Sequence, residues 1–187
     1  MRYFVGLILM GLLPALAACD KMVIVGQPVF NLNYTVDEFS YASRNGEIRT
    51  RIGDDPFGGP HAKFSAVVSK LMYGANIGGD VAFTLSPGGP GSGRYHVVML
   101  FNPPVSAKEN FWCADASFPT LPLTDTLRLV SAFCFEDSML STANGRVSDI
   151  RSPQSPLFRD LVRQETLALF PGYDDLDIGD SSGRTTE

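Results

Sequence analysis

The most reactive side chains in this chain belong to three cysteines and two histidines. The cysteines are Cys19, Cys113 and Cys134, and the histidines are His61 and His96. Zinc ligands usually lie two to five residues apart in pairs, and none of these five residues has such a neighbour. Neither histidine belongs to an HExxH motif, in which two histidines on one helix bind zinc. We therefore predict no metal site, no cofactor and no catalytic residue.

Two glycine-rich or acidic segments come close to known ligand-binding motifs. Segment 88–93 is rich in glycine, but Arg94 follows it where a phosphate-binding loop needs a lysine and then a serine or threonine that opens a helix. We predict a turn between two strands there. Segment 174–187 begins with several aspartates, but counted from Asp175 it has Asp180 at position six, where a calcium loop requires glycine, and Thr186 at position twelve, where it requires glutamate. We interpret it as a mobile acidic tail.

Three residues are candidates for binding. Phe111 and Trp112 precede Cys113 in a proline-rich stretch, where they could anchor a protein partner. They could equally cover part of the core, and we favour that interpretation. His96 lies in a predicted strand and could face a shallow pocket, although a histidine on a sheet face is more often structural.

The N-terminus has the pattern of an export signal. Arg2 precedes an apolar run from Phe4 to Ala15, which is too short to cross a bilayer as a helix but matches the core of a signal peptide. The tetrapeptide Leu16-Ala17-Ala18-Cys19 resembles the lipobox of bacterial lipoproteins at all four positions. The resemblance implies that residues 1–18 are cleaved and that diacylglycerol is attached to the sulfur of Cys19. It also implies membrane anchoring on the periplasmic side of a bacterial inner or outer membrane.

The number of cysteines fits export. If Cys19 carries lipid, two cysteines remain, Cys113 and Cys134, and an oxidising compartment favours a disulfide between them. Two free buried thiols are the alternative. A metal pair is disfavoured because neither cysteine has a nearby ligand partner.

Composition restricts the partners. The chain has 187 residues, is 44% hydrophobic and carries a net charge of −5. The apolar content is sufficient for a packed core, and the acidic balance argues against nucleic acid, whose phosphates need a basic surface. The partners that we predict are a membrane, through the lipid on Cys19, and an envelope protein.

Apolar periodicity predicts one domain over residues 19–173. We expect an α+β fold with two layers, in which about four strands form an antiparallel or mixed sheet covered by two to three helices. A capping box at Thr35 predicts a short helix to about Arg44, or alternatively a hairpin that turns at Asn45-Gly46. The other predicted helices begin at Pro60 and at Ser155-Pro156. The predicted strands are 47–52, 80–85, 94–101 and 127–135, and prolines indicate an irregular segment at 102–125.

These observations favour a lipid-anchored cell-envelope protein of binding or scaffolding type. A membrane-tethered periplasmic hydrolase with an atypical site, in which His96 works with a carboxylate, is one alternative. An assembly or chaperone-like factor with an apolar groove is the other.

Overall fold

A mixed sheet of seven strands is the centre of the protein, and three helices pack against it. The computed structural model describes residues 22–86, 93–114 and 119–172. The strands are β1 (Ile24–Val25), β2 (Val29–Phe30), β3 (Glu47–Ile52), β4 (Ala82–Thr84), β5 (Tyr95–Phe101), β6 (Thr126–Phe135) and β7 (Ser138–Ser148). The helices are α1 (Val36–Ala42), α2 (His61–Met72) and α3 (Pro156–Leu169), and a single 3₁₀ turn covers Glu109–Phe111.

The strand order is β1-β7-β6-β5-β3-β4, and β2 also pairs with β7. Strands β5, β6 and β7 form an antiparallel meander, while β3 runs parallel to both β4 and β5. The two short strands β1 and β2 therefore share one edge of the sheet, and β4 forms the other edge. The predicted α+β class is confirmed, and the three helices agree with the predicted two to three.

The helices begin within one residue of the predicted positions, but the N-terminus of α1 is not capped in the predicted way. Thr35 is the N-cap residue of α1, yet its side chain makes no capping hydrogen bond, so the predicted capping box does not form. The Glu38 carboxylate instead accepts a hydrogen bond from the Tyr95 hydroxyl of β5 and ties the helix to the sheet. Gly46 has a φ of +76° and ends the turn after α1. The alternative hairpin at Asn45-Gly46 does not form, because the segment before the turn is helical and β3 pairs with β4 and β5 instead.

The predicted number of about four strands is too low. The four predicted strands correspond to β3, β4, β5 and β6, whereas β1, β2 and β7 were not expected. Strand β7 is the longest of all, although it contains Asn144-Gly145, a pair typical of turns. Pairing with β6 on one side and with β1 and β2 on the other holds this pair in an extended conformation.

The sheet has two different faces. On the face that we call the helix face, side chains from β3, β5, β6 and β7 pack against the helices in the main core, which contains Phe64, Phe101, Phe133 and Phe158. On the opposite side, which we call the open face, a smaller cluster joins Val98, Leu100, Val130 and Ala132. No helix within the described ranges is both long and apolar enough to cross a membrane. The predicted signal peptide and acidic tail lie outside the described residues.

Candidate functional site

A disulfide holds part of the proline-rich segment 102–125, which we call the cover loop, against the open face. Cys113 of the loop is bonded to Cys134 of β6, with an S–S distance of 2.04 Å and a Cα–Cα distance of 5.6 Å. Both cysteines are buried. The predicted pairing is therefore confirmed, and the bond attaches the loop to a central strand.

The two aromatic candidates on the cover loop have different positions. Trp112 is only 3% exposed and packs in the open-face cluster, where its indole N–H donates a hydrogen bond of 3.1 Å to the carbonyl of Ala107. Phe111 is 51% exposed. Trp112 thus covers part of the core, as expected, and Phe111 is the aromatic side chain that the loop presents to solvent.

His96 is buried beneath the cover loop. It is directly opposite Cys134 in the pairing of β5 with β6, and its Nε2 is 3.2 Å from the carbonyl oxygen of Cys113. Arg51 of β3 supports the same loop, because its guanidinium donates a 2.7 Å hydrogen bond to the carbonyl of Ala114. The structure brings His96, Trp112 and the disulfide together as one packed unit that fixes the loop.

The other half of the open face, beside β1 and β2, has exposed side chains. Ile24 lies opposite Arg146, and Arg146 lies opposite Arg128, so the three side chains form a row across β1, β7 and β6. Val29 of β2 lies opposite Thr142 on the same face. Ile24 is 43% and Val29 63% exposed, and both arginines are exposed. Sequence reasoning missed this surface because its arrangement depends on β1, β2 and β7, which were not predicted.

Two depressions in the surface are open to solvent. One has a volume of about 380 Å³ and lies at the end of the sheet where β7 leads toward α3, between Phe57, Leu123 and Arg151. The other has a volume of about 330 Å³ and lies between the C-terminus of α2 and α3. His61 is outside both linings, and its Nε2 is 3.0 Å from the carbonyl oxygen of Ile52. In the described part of the chain, no three His, Cys, Asp or Glu side chains are grouped to hold a metal ion.

One ionisable side chain is buried in the main core. Glu165 of α3 faces the middle of the sheet, where its Oε2 is 2.7 Å from the hydroxyl oxygen of Ser131. Its Oε1 has no hydrogen-bond partner among the described residues and lies against Gly145. Burial raises the pKa of Glu165 from its ordinary value of 4.5 to about 8, although the hydrogen bond with Ser131 acts in the opposite direction. The carboxyl group is therefore largely protonated at neutral pH, and it is enclosed by packing, with no opening to either depression.

Comparisons with protein-family models, curated proteins and solved structures find no match to this chain. Function must therefore be argued from the residues and their arrangement.

Proposed function

We propose that this protein is a lipid-anchored cell-envelope protein that works by binding or scaffolding. The lipid is carried by Cys19, and the folded domain follows it directly. The observation that supports this most strongly is the position of β1, which begins at Ile24, five residues after Cys19, and is paired at the edge of the sheet. An anchor at Cys19 would hold that edge close to the membrane without a long linker.

The disulfide supports export. Stable disulfides belong to oxidising compartments, such as the bacterial periplasm. Cys113 and Cys134 are bonded in this fold, so a lipid on Cys19 would leave the chain with no free thiol. The same bond fixes the cover loop, which presents Phe111 to solvent as a preorganised contact for an envelope partner.

Metabolic labelling tests the anchor. Cells that express the full chain are grown with an alkyne-bearing fatty acid, and the purified protein is assayed for covalent label and for partition into the detergent phase. The wild type should carry the label, and Cys19→Ser should lose it. The double variant Cys113→Ser/Cys134→Ser is the matched control and should keep it, because only Cys19 is modified. An unlabelled wild type, or label that remains on Cys19→Ser, would show that Cys19 is not the site of lipid attachment.

Site-specific photocrosslinking in intact cells tests the envelope partner. A photoreactive residue at Phe111 should give a discrete crosslinked species, because this side chain is exposed on a fixed loop. The control is Ala66, an exposed residue of α2 on the helix face. If neither position gives a discrete species, or both give the same one, the cover loop is not the contact for a partner.

A further inference from the structure

Two arginines lie side by side on the open face, near the edge of the sheet that β1 and β2 form. Arg128 of β6 and Arg146 of β7 are directly opposite each other in the antiparallel register, and both are exposed. Like charges in this arrangement repel each other and destabilise the strand pair. Neither guanidinium forms an ion pair with any residue that the structure describes. An anion in contact with both guanidinium groups would remove this repulsion.

The strands around the two arginines are otherwise uncharged. No other charged residue occurs in β1, β2, β6 or β7, although the chain has a net charge of −5. Residues 22–36, which include β1 and β2, contain no charged residue at all. Within that segment, Ile24 and Val29 are exposed on the same face as the arginines, and Leu32 after β2 is fully exposed. We call Ile24, Val29, Leu32, Arg128 and Arg146 the anchor-side surface.

The position of Cys19 brings this surface close to a membrane. An extended chain covers at most about 3.5 Å per residue, so the five steps from Cys19 to Ile24 span no more than about 18 Å. Neighbouring strands are about 4.8 Å apart, which places the backbone at Arg128, two strands from β1, about 10 Å further across the sheet. Lipid headgroups are therefore within reach of Ile24 and of the two arginines in the same row.

We propose that the anchor-side surface docks on an anionic lipid bilayer. The two guanidinium groups bind phosphate groups of the lipids, and Ile24, Val29 and Leu32 enter the headgroup region. Bilayer phosphates fit better than a soluble anion because Ile24 lies directly opposite Arg146, and Val29 is exposed on the same face. This inference rests on the proposed lipid anchor at Cys19. It adds that the anchored domain has one orientation, in which the helix face is turned away from the membrane.

Fluorescence of the reconstituted protein tests the docking. The full lipidated chain carries Leu32→Cys labelled with a polarity-sensitive dye, and it is reconstituted in vesicles of phosphatidylcholine alone or mixed with phosphatidylglycerol. The dye emission should shift to the blue in the anionic vesicles, and high salt should reduce the shift. A dye at Ala66→Cys on the helix face is the matched control and should not respond to the lipid composition.

The arginine pair is tested in the same vesicles. Each arginine near an anionic surface is expected to contribute about five-fold to the docked population, so Arg128→Gln/Arg146→Gln should reduce it about 30-fold and abolish the blue shift. Both side chains are exposed, so the variant should unfold at the same temperature as the wild type or slightly above it. Lys63→Gln on α2 is the control for loss of a positive charge elsewhere.

Failure of the anchor and failure of the docking give different results. If Cys19 carries no lipid, the protein does not float with either type of vesicle, and the proposed function fails. If the protein floats but the dye at position 32 does not respond to phosphatidylglycerol, the docking is wrong. A response that is equal at position 66, or that survives substitution of both arginines, also overturns it. Crosslinking of position 32 to a protein, with no blue shift, would assign the surface to a protein partner and overturn it as well.

Discussion

Replacement of Glu165 by glutamine should stabilise the protein at neutral and mildly alkaline pH and weaken the dependence of its stability on pH. Glu165 is fully buried, and its Oε1 has no hydrogen-bond partner among the described residues. In the folded state its pKa is about 8, whereas the unfolded value is the ordinary 4.5. Glutamine has nearly the same shape and can hydrogen-bond to the hydroxyl of Ser131, but it carries no charge in either state.

The sign and the size of the effect follow from the two pKa values. Because the folded pKa is raised, the folded protein retains a proton that the unfolded chain has lost between about pH 4.5 and pH 8. The buried carboxyl group therefore does not reduce the unfolding free energy below pH 4.5, and it reduces that free energy progressively as the pH rises to 8. A shift of one pKa unit corresponds to about 1.4 kcal/mol. Ionisation of this group should therefore lower the unfolding free energy by on the order of 3–4 kcal/mol as the pH rises from 5 to 8.

Urea denaturation at a series of pH values measures this effect. The chain contains a single tryptophan, Trp112, which is buried and reports unfolding by its fluorescence. The difference in unfolding free energy between Glu165→Gln and the wild type should increase from pH 5 to pH 8 in favour of the variant. Glu109→Gln, at an exposed position, is the control and should show a nearly constant difference. Parallel pH profiles for the wild type and Glu165→Gln would refute the argument that the buried carboxyl titrates near pH 8.

Two further predictions concern stability. The double variant Cys113→Ser/Cys134→Ser should lower the unfolding free energy by roughly 3 kcal/mol, since it opens a loop with a sequence separation of 21; urea denaturation that matches the wild type would contradict this. Gly145→Ala should lower the melting temperature by an amount equivalent to about 1–3 kcal/mol, because its Cβ would lie 2.6 Å from Oε1 of Glu165. Gly93→Ala, whose added Cβ meets no atom of the described residues within 4 Å, is the control in thermal denaturation, and equal effects of the two changes would exclude the steric explanation.

The cover loop shows how far local reasoning about single residues extends. The prolines correctly predict that the described parts of segment 102–125 are irregular apart from one 3₁₀ turn, and the cysteine count correctly predicts the pairing of Cys113 with Cys134. Neither feature shows that Trp112 is buried while Phe111 is exposed, because that difference depends on which side of the loop faces β5 and β6. The role of His96 was equally inaccessible, since its contact with the carbonyl of Cys113 forms only where the loop lies on the sheet in the tertiary structure.

The buried carboxyl and the arginine pair also arise from contacts between distant parts of the chain. Glu165 is four residues after Leu161 on the apolar stripe of α3, so the helical period could have placed it toward the core. A glutamate at such a position is normally expected at the rim of the core, and only the close approach of Gly145 shows that it is enclosed. Arg128 and Arg146 are far apart in sequence and become neighbours only through the register of β6 and β7.

The sequence by itself determined the three helices and the central strands β5 and β6, because apolar periodicity and helix-ending residues act over a few neighbouring positions. It also determined that two cysteines remain to pair when Cys19 is set aside, and that Cys19 ends a lipobox-like pattern. Only the tertiary structure decided that the small and polar residues of β7 form the longest strand and that β1 and β2 complete the sheet. The reason is that such segments have weak strand preferences of their own. Their extended conformation is stabilised by hydrogen bonds to strands that lie far away in the sequence.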